Sequence, residues 1–238
     1  MDSSIHTRKQ GCFSVFDVSH MLQLTVKGAK SNEFFEAATV VDCKELGHGS
    51  VKLSLLTNSN GGIIDDCMVA RKSDNEFRLV VNAGCADKDL KHLQALAASP
   101  QFKGSVDVIP IYDRALVTAQ GPAAAAAVEK LSGKSLKNIP FMHMIEGKIA
   151  GADVIMTRCG YTGEDGFKIS IPRAAADAVA DALMQCSGAS RLETYFVSKT
   201  VFVFTATTLA WKRHPCRLRS CGPSANGADN PAASPARN

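Results

Sequence analysis

No apolar run in the 238-residue chain approaches the roughly 20 residues that a membrane-crossing helix needs, so no membrane role is expected. The start, Met1-Asp2-Ser3-Ser4-Ile5-His6, has neither an apolar signal core nor an Arg-rich amphipathic pattern, so no targeting segment is readable. The eight cysteines include no CxxC pair, and no neighbouring His completes a zinc pattern. They read as reduced, mostly buried thiols, and no metal site is expected. Net charge is only +4 and the basic residues form no single stripe, which argues against nucleic acid. Gly47-His48-Gly49-Ser50 is followed by no Gly-Lys-Ser/Thr and opens no helix, so it is not a phosphate loop. No dinucleotide fingerprint or catalytic triad can be read.

What is present is a globular composition, 45% hydrophobic and 21% charged. Residues 13–18 and 22–26 alternate apolar and polar positions as strands do. Ser31 is placed to cap a helix carrying Phe34, Phe35 and Ala38. Residues 51–56 and 63–69 read as a hairpin across Asn58-Ser59-Asn60-Gly61-Gly62, because Asn and Gly accept the positive φ of a tight turn. Further strands are predicted at 77–81, 115–119, 154–157 and 167–171. Helices are predicted at 87–98, at 123–131 between Pro122 and Gly133, and after Pro172. Interleaved strands and helices with short hairpins indicate an α+β fold with antiparallel sheets. No sequence repeat is visible, although paired ββα-type units fit this order. From about Gly188 the pattern is lost, and Pro, Ser, Asn, Gly and Ala follow without period. Residues 1–187 are therefore expected to form the folded region and 188–238 an aberrant, largely disordered tail.

Asp65-Asp66 follow the hairpin turn. Neighbours on a strand point to opposite faces, so the two should not form a dyad on one substrate. Either they are a solvated pair flanking the turn, or at least one is buried and needs hydrogen-bond donors. Arg158-Cys159-Gly160-Tyr161-Thr162-Gly163-Glu164-Asp165-Gly166 is an ordinary hairpin loop or a loop whose glycines let backbone approach a ligand beside the Tyr161 ring. Asn82 ends a strand with an amide that both donates and accepts. His20 has no Cys or Ser partner at a telling spacing.

Taken together, Phe16-Asp17-Val18-Ser19-His20-Met21, residues 57–66, Val81-Asn82-Ala83-Gly84-Cys85, Ala119-Gln120-Gly121-Pro122, Ile139-Pro140-Phe141-Met142 and residues 158–166 resemble the successive signature blocks of the aminomethyltransferases. The order and approximate spacing match over residues 11 to about 187. The resemblance implies a folate-binding core of ferredoxin-like units followed by a C-terminal barrel domain. It implies transfer of the methylene of a lipoyl-bound aminomethyl group to tetrahydrofolate, with release of ammonia. The partner would be the lipoylated H-protein of the glycine cleavage system, and the location mitochondrial. By the same resemblance Asp66 is the catalytic carboxylate, and Asn82 and Tyr161 line the folate site. Two other readings stand beside it: a catalytically inactive fragment, and a folate-binding relative serving iron–sulfur assembly, whose signature block residues 158–166 do not resemble.

The chain departs from the family pattern in several places. The family carries a segment upstream of the first block. The family reads Gly-Phe-Glu-Ile-Ser where this chain reads Gly166-Phe167-Lys168-Ile169-Ser170, so Lys168 stands where a pterin-binding Glu is implied. A lysine cannot accept hydrogen bonds. Neither the family's Ala-Arg-Asp block nor its barrel domain is readable in the chain. Yet the codons of residues 191–212, read from their third base, can encode a string resembling the missing block. A frameshift between about Gln185 and Ser190 is therefore expected.

Overall fold

The computed structural model describes residues 7–187 apart from Gln10; the expected tail, residues 188–238, lies outside the described residues. Two five-stranded antiparallel sheets stand face to face, each covered on its outer side by two helices. In chain order the elements are β1 (Ser14–Asp17), β2 (Leu22–Lys27), α1 (Ser31–Ala38), β3 (Val51–Thr57), β4 (Ile63–Ser73), β5 (Glu76–Val81) and α2 (Ala86–Ala97). Then come β6 (Asp107–Ile111), β7 (Arg114–Gln120), α3 (Ala124–Ser132), β8 (His143–Ile149), β9 (Ala152–Arg158), β10 (Gly166–Pro172) and α4 (Ala176–Cys186). Among the described residues no helix is long and apolar enough to cross a membrane.

The sheets are two copies of one plan. One has strand order β3-β4-β5-β2-β6 and the other β8-β9-β10-β7-β1. In each, a strand, a helix, a three-strand meander and a second helix follow one another. In each, the opening strand (β2 or β7) pairs with the last strand of the meander (β5 or β10). Without the outermost meander strand, the first unit is a ferredoxin-like split βαβ arrangement, as the family resemblance implies. The fifth position differs in origin. Beside β2 it is taken by β6, which follows α2; beside β7 it is taken by β1, from the start of the described chain.

Period-two alternation explains the layers. Along β10, Phe167, Ile169 and Ile171 are fully buried against α3 and α4 with Val128, Val179 and Leu183. The intervening Lys168 and Ser170 face the other sheet. The first sheet repeats this, with Leu24, Val26, Phe77 and Leu79 packed against Phe34, Phe35 and Leu93 of its helices. Burying each such side chain stabilises the fold by about 1.5–3 kcal/mol. The layer between the sheets has a much smaller apolar cluster, Val51, Ala70 and Met144, with Met68, Met142 and Ile155 packed against it. Polar links complete it: Ser170 Oγ donates to Gln23 Oε1 at 2.6 Å, and Arg114 Nε donates to Ser170 Oγ at 2.8 Å.

At one edge the sheets are joined through backbone. Val51 N donates to Met142 O at 2.8 Å, and Met142 N donates to Arg158 O at 2.7 Å. Met142 makes both bonds at φ 60, a left-handed conformation uncommon for a non-glycine residue.

Three expectations need correction. Ser31 does not cap α1; it is the first helical residue, fully buried, and Lys30 holds the cap position without a side-chain bond. A strand at β6 was not expected because Pro110 interrupts the pattern; β6 lies at the sheet edge, where a missing N–H is tolerated. Nor was β8, another edge strand, where Glu146, Gly147 and Lys148 weaken the alternation.

Candidate functional site

The hairpin between β3 and β4 is set by Asn58, whose Oδ1 accepts from Asn60 N and Gly62 N, both at 2.9 Å, while Gly61 takes φ 76. This places Asp65 and Asp66 at the start of β4, beside a register shift between Leu56 and Thr57 of β3. Cys67 pairs with Val81 on β5, so Asn82, one residue further, comes level with Asp66. There the strand ends and a 3-10 turn, Ala83–Cys85, leads into α2.

Asn82 Nδ2 donates to Asp66 Oδ1 at 2.8 Å and approaches both carboxylate oxygens of Asp65 at 3.2 Å. Asp65 therefore does not point away from Asp66's neighbourhood, as strand alternation alone implies. Asn82 sits where β5 ends, and its amide spans the end of the strand to meet carboxylates from both faces. Carboxylates only accept, so the NH2 must face them, and the amide oxygen is turned away from the pair.

Behind this group lies Asp89 of α2, fully buried. Its carboxyl faces that of Asp65, and no N–H or other fixed donor meets either of its oxygens. Two carboxyls in that position hydrogen-bond only by holding a proton between them. Burial, then the contact with Asp65, pushes Asp89 up from 3.8 to about 7. The Cys67 thiol nearby is pushed up to about 12, mainly by burial and then by Asp66. Asp89 was not singled out in the sequence. The available signal was its place one turn before Leu93, on the buried stripe of α2.

The other two expected site residues belong to the second sheet. Tyr161 lies against Phe16, ring centroids 6.0 Å apart. Although 40% of Tyr161 is exposed, its hydroxyl end lies by Thr118, and desolvation there raises the phenol to about 12. Lys168 sits between Thr118 and Thr157 in the strand register and points between the sheets, its Nζ 3.6 Å from Met68 Sδ. Burial lowers its pKa, while Cys159 and Asp66 oppose the shift. Thus Asp66 and Asn82 are joined by a hydrogen bond, while Lys168 stands on the facing sheet and Tyr161 in the loop between its strands β9 and β10.

The glycine-rich loop serves the fold first. A Cβ on Gly166 would lie 2.2 Å from Ala119 O, and one on Gly160 2.7 Å from Gln120 Oε1. The close approach these glycines permit is to the chain itself. Arg158 Nε donates to Asp165 Oδ1 at 3.0 Å and Nη2 to Oδ2 at 2.7 Å, a two-pronged clamp across the loop. Between the sheets is a cavity of about 50 Å3, lined by Gln23, Met68, Arg78, Thr157, Lys168 and Ser170 among others.

Such a pair of helix-backed antiparallel sheets, built on one plan and with the Asn82–Asp66 hydrogen bond where β4 starts and β5 ends, defines an α+β class of fold made of two matching units. Residues 5–195 match the family model described as the GCVT N-terminal domain, and the chain belongs to that family. It is 40% identical over 196 residues to the mitochondrial aminomethyltransferase of Dictyostelium discoideum, covering 80% of this chain and 47% of that protein. Against the mitochondrial aminomethyltransferase of Canis lupus familiaris it is 41% identical, covering 78% of this chain and 46% of the relative. The glycine cleavage system aminomethyltransferase T of Bartonella henselae superposes with a TM-score of 0.68 at 36% identity, over 81% of this chain and 51% of that one. The chain spans about half the length of the curated relatives it matches.

Proposed function

We propose that this chain carries the folate-site half of an aminomethyltransferase of the glycine cleavage system. The reaction moves a methylene carbon from a lipoyl-bound aminomethyl group to two nitrogens of tetrahydrofolate. Its bond to nitrogen is released as ammonia and its bond to sulfur as a thiol. The observation that carries this reading is the Asn82–Asp66 hydrogen bond at the mouth between the sheets. It fixes a carboxylate where a pterin can reach it. An oriented carboxylate accepts an N–H of the attacking nitrogen and stabilises the positive charge that develops there. The Asn82 oxygen, turned outward, accepts a second N–H, and the Tyr161 ring offers a flat wall. A lipoylated H-protein as donor belongs to the same reading, and so does a mitochondrial location, which the names of the mitochondrial relatives support.

Lys168 favours a second reading, a chain that folds without turning over. An ammonium donates and cannot accept the N–H groups of a pterin; such a loss typically costs on the order of 2–3 kcal/mol in binding. Fluorescence titration with tetrahydrofolate, followed by single turnover with aminomethylated H-protein, tests both. Saturable binding weakened more by Asp66→Ala than by Asp65→Ala supports the assignment of Asp66, and equal weakening overturns it. Binding without ammonia release supports the second reading.

A further inference from the structure

We propose that Asp89 is a positioning residue for the folate-contacting carboxylate: the proton it holds against Asp65 keeps Asp65, Asn82 and Asp66 in the arrangement that receives the pterin. This role rests on the folate reading of Asp66 and Asn82, and adds to it a residue that touches no ligand.

Hydrogen-bond supply decides the arrangement. Asp65 and Asp66 come from β4 and Asp89 from the first turn of α2. Among the described residues, the Asn82 amide is the one fixed donor that meets the carboxylates of Asp65 and Asp66. An NH2 group has two hydrogens. One serves Asp66 Oδ1 at 2.8 Å, and the other serves Asp65, whose two oxygens each lie at 3.2 Å. The amide therefore keeps its direction only while Asp65 keeps its place.

Asp65 is held from behind. Asp89 is fully buried, its carboxyl faces that of Asp65, and neither of its oxygens meets another donor. The neighbouring Lys88 ammonium bonds Ile64 O at 2.7 Å instead. The titratable and charged groups facing Asp89 are Asp65, Asp66 and Cys67 of β4, Lys88 of α2, and Cys85 in the turn before it. Only Lys88 is a cation, and the Cys67 thiol, pushed up to about 12 by burial, adds no charge near neutral pH. With a proton between them, Asp89 and Asp65 attract. Without it, two carboxylates face each other in a desolvated space and Asp65 is driven off. One amide hydrogen of Asn82 then loses its acceptor, the amide can turn, and Asp66 loses its alignment.

Burial and the contact with Asp65 place the loss of this proton at about pH 7. The site is competent below that pH and not above it, and apparent affinity scales with the competent fraction.

The test takes two readings on the full chain between about pH 6 and about pH 8. One is the side-chain amide NMR signal of Asn82 in protein labelled with nitrogen-15 asparagine, identified by its loss in Asn82→Ser. The other is fluorescence titration with tetrahydrofolate. The Asn82 signal should move with a midpoint at about pH 7. Affinity should fall about tenfold across the range. Asp89→Asn, which keeps a permanent donor toward Asp65, should hold both readings near their low-pH values. A signal that stays put in the unmodified chain overturns the proposal, whether or not the variant folds. A moving signal with constant affinity overturns it too, as does an equal fall of affinity in Asp89→Asn. A moving signal with no binding at either pH supports the Asp89 clamp and overturns the folate reading instead.

Discussion

Asp89 lies directly behind Asp65, carboxyl facing carboxyl, at the base of the group that presents Asp66. One proton between them turns mutual repulsion into a hydrogen bond. Asp65 in turn meets the amide of Asn82, which is bonded to Asp66. The exposed carboxylate is thus the last member of a chain that begins in the core of the first unit.

Stability should fall as pH rises from about 4 to about 7. In that window folded Asp89 retains a proton that the unfolded chain, with its ordinary value of 3.8, has released. The other charged or titratable groups facing Asp89 are Asp65, Asp66, Lys88, Cys67 and Cys85. For a carboxyl raised from 3.8 to about 7, the loss across this window should be on the order of 3–4 kcal/mol. Asp89→Asn, which keeps a donor toward Asp65, should flatten the profile in urea unfolding across this range. An unchanged slope refutes the shared proton.

Asn82→Asp should destabilise the fold by about 2 kcal/mol or more at pH 7, because it replaces the amide donor with a third carboxylate. The deficit should shrink at pH 5, where one of the three takes up a proton. Urea midpoints of the variant and the unmodified chain at the two pH values measure this.

Gly166→Ala should cost about 2–3 kcal/mol, since its Cβ would lie 2.2 Å from the rigid Ala119 carbonyl oxygen. Gly84→Ala is the control: nothing lies within 4 Å of its Cβ, and its change should stay within about 1 kcal/mol of zero. Thermal melts showing similar losses for both would contradict the packing account.

Arg158→Lys should lower stability by about 1–2 kcal/mol, because an ammonium cannot make the two parallel bonds to Asp165. Solvent screening keeps the loss this small, since Asp165 is 38% exposed. Amide exchange within residues 159–165 should rise in the variant, and unchanged protection there would show the clamp to be idle.

We also propose that residues 188–238 derive from a shifted reading frame. The transcript across the codons of residues 191–212 should then encode the family's Ala-Arg-Asp block from the third base. Codons that spell an unrelated string in that frame exclude it.

The strands that carry buried alternation, such as Phe167 to Ile171, and the Asn-Gly hairpin were legible because each is set by local chemistry. The edge strands β6 and β8 were not, since they are held by pairing with β2 and β9 rather than by their own pattern. The importance of residues 158–166 was legible, but not the division of labour within them: Asp165 clamps, Gly160 and Gly166 permit packing, and Tyr161 faces Phe16. Nor was the Asp65–Asp89 contact, which joins a strand to a helix and depends on how α2 is laid across the sheet.

The strand that completes the second sheet precedes the whole of the first unit in the chain, and β1 pairs Ser14 with Gln120. During synthesis the first unit can assemble as soon as β6 has emerged, while β1 must wait, unpaired, for β7. Severing the backbone between Ile111 and Arg114 would therefore not yield two autonomous halves. The leading piece would trail an orphan strand, and the trailing piece would expose β7 as a raw edge open to pairing with other chains. Mixed together, the two pieces should find each other through that strand, which makes the polypeptide a natural substrate for split-protein reconstitution.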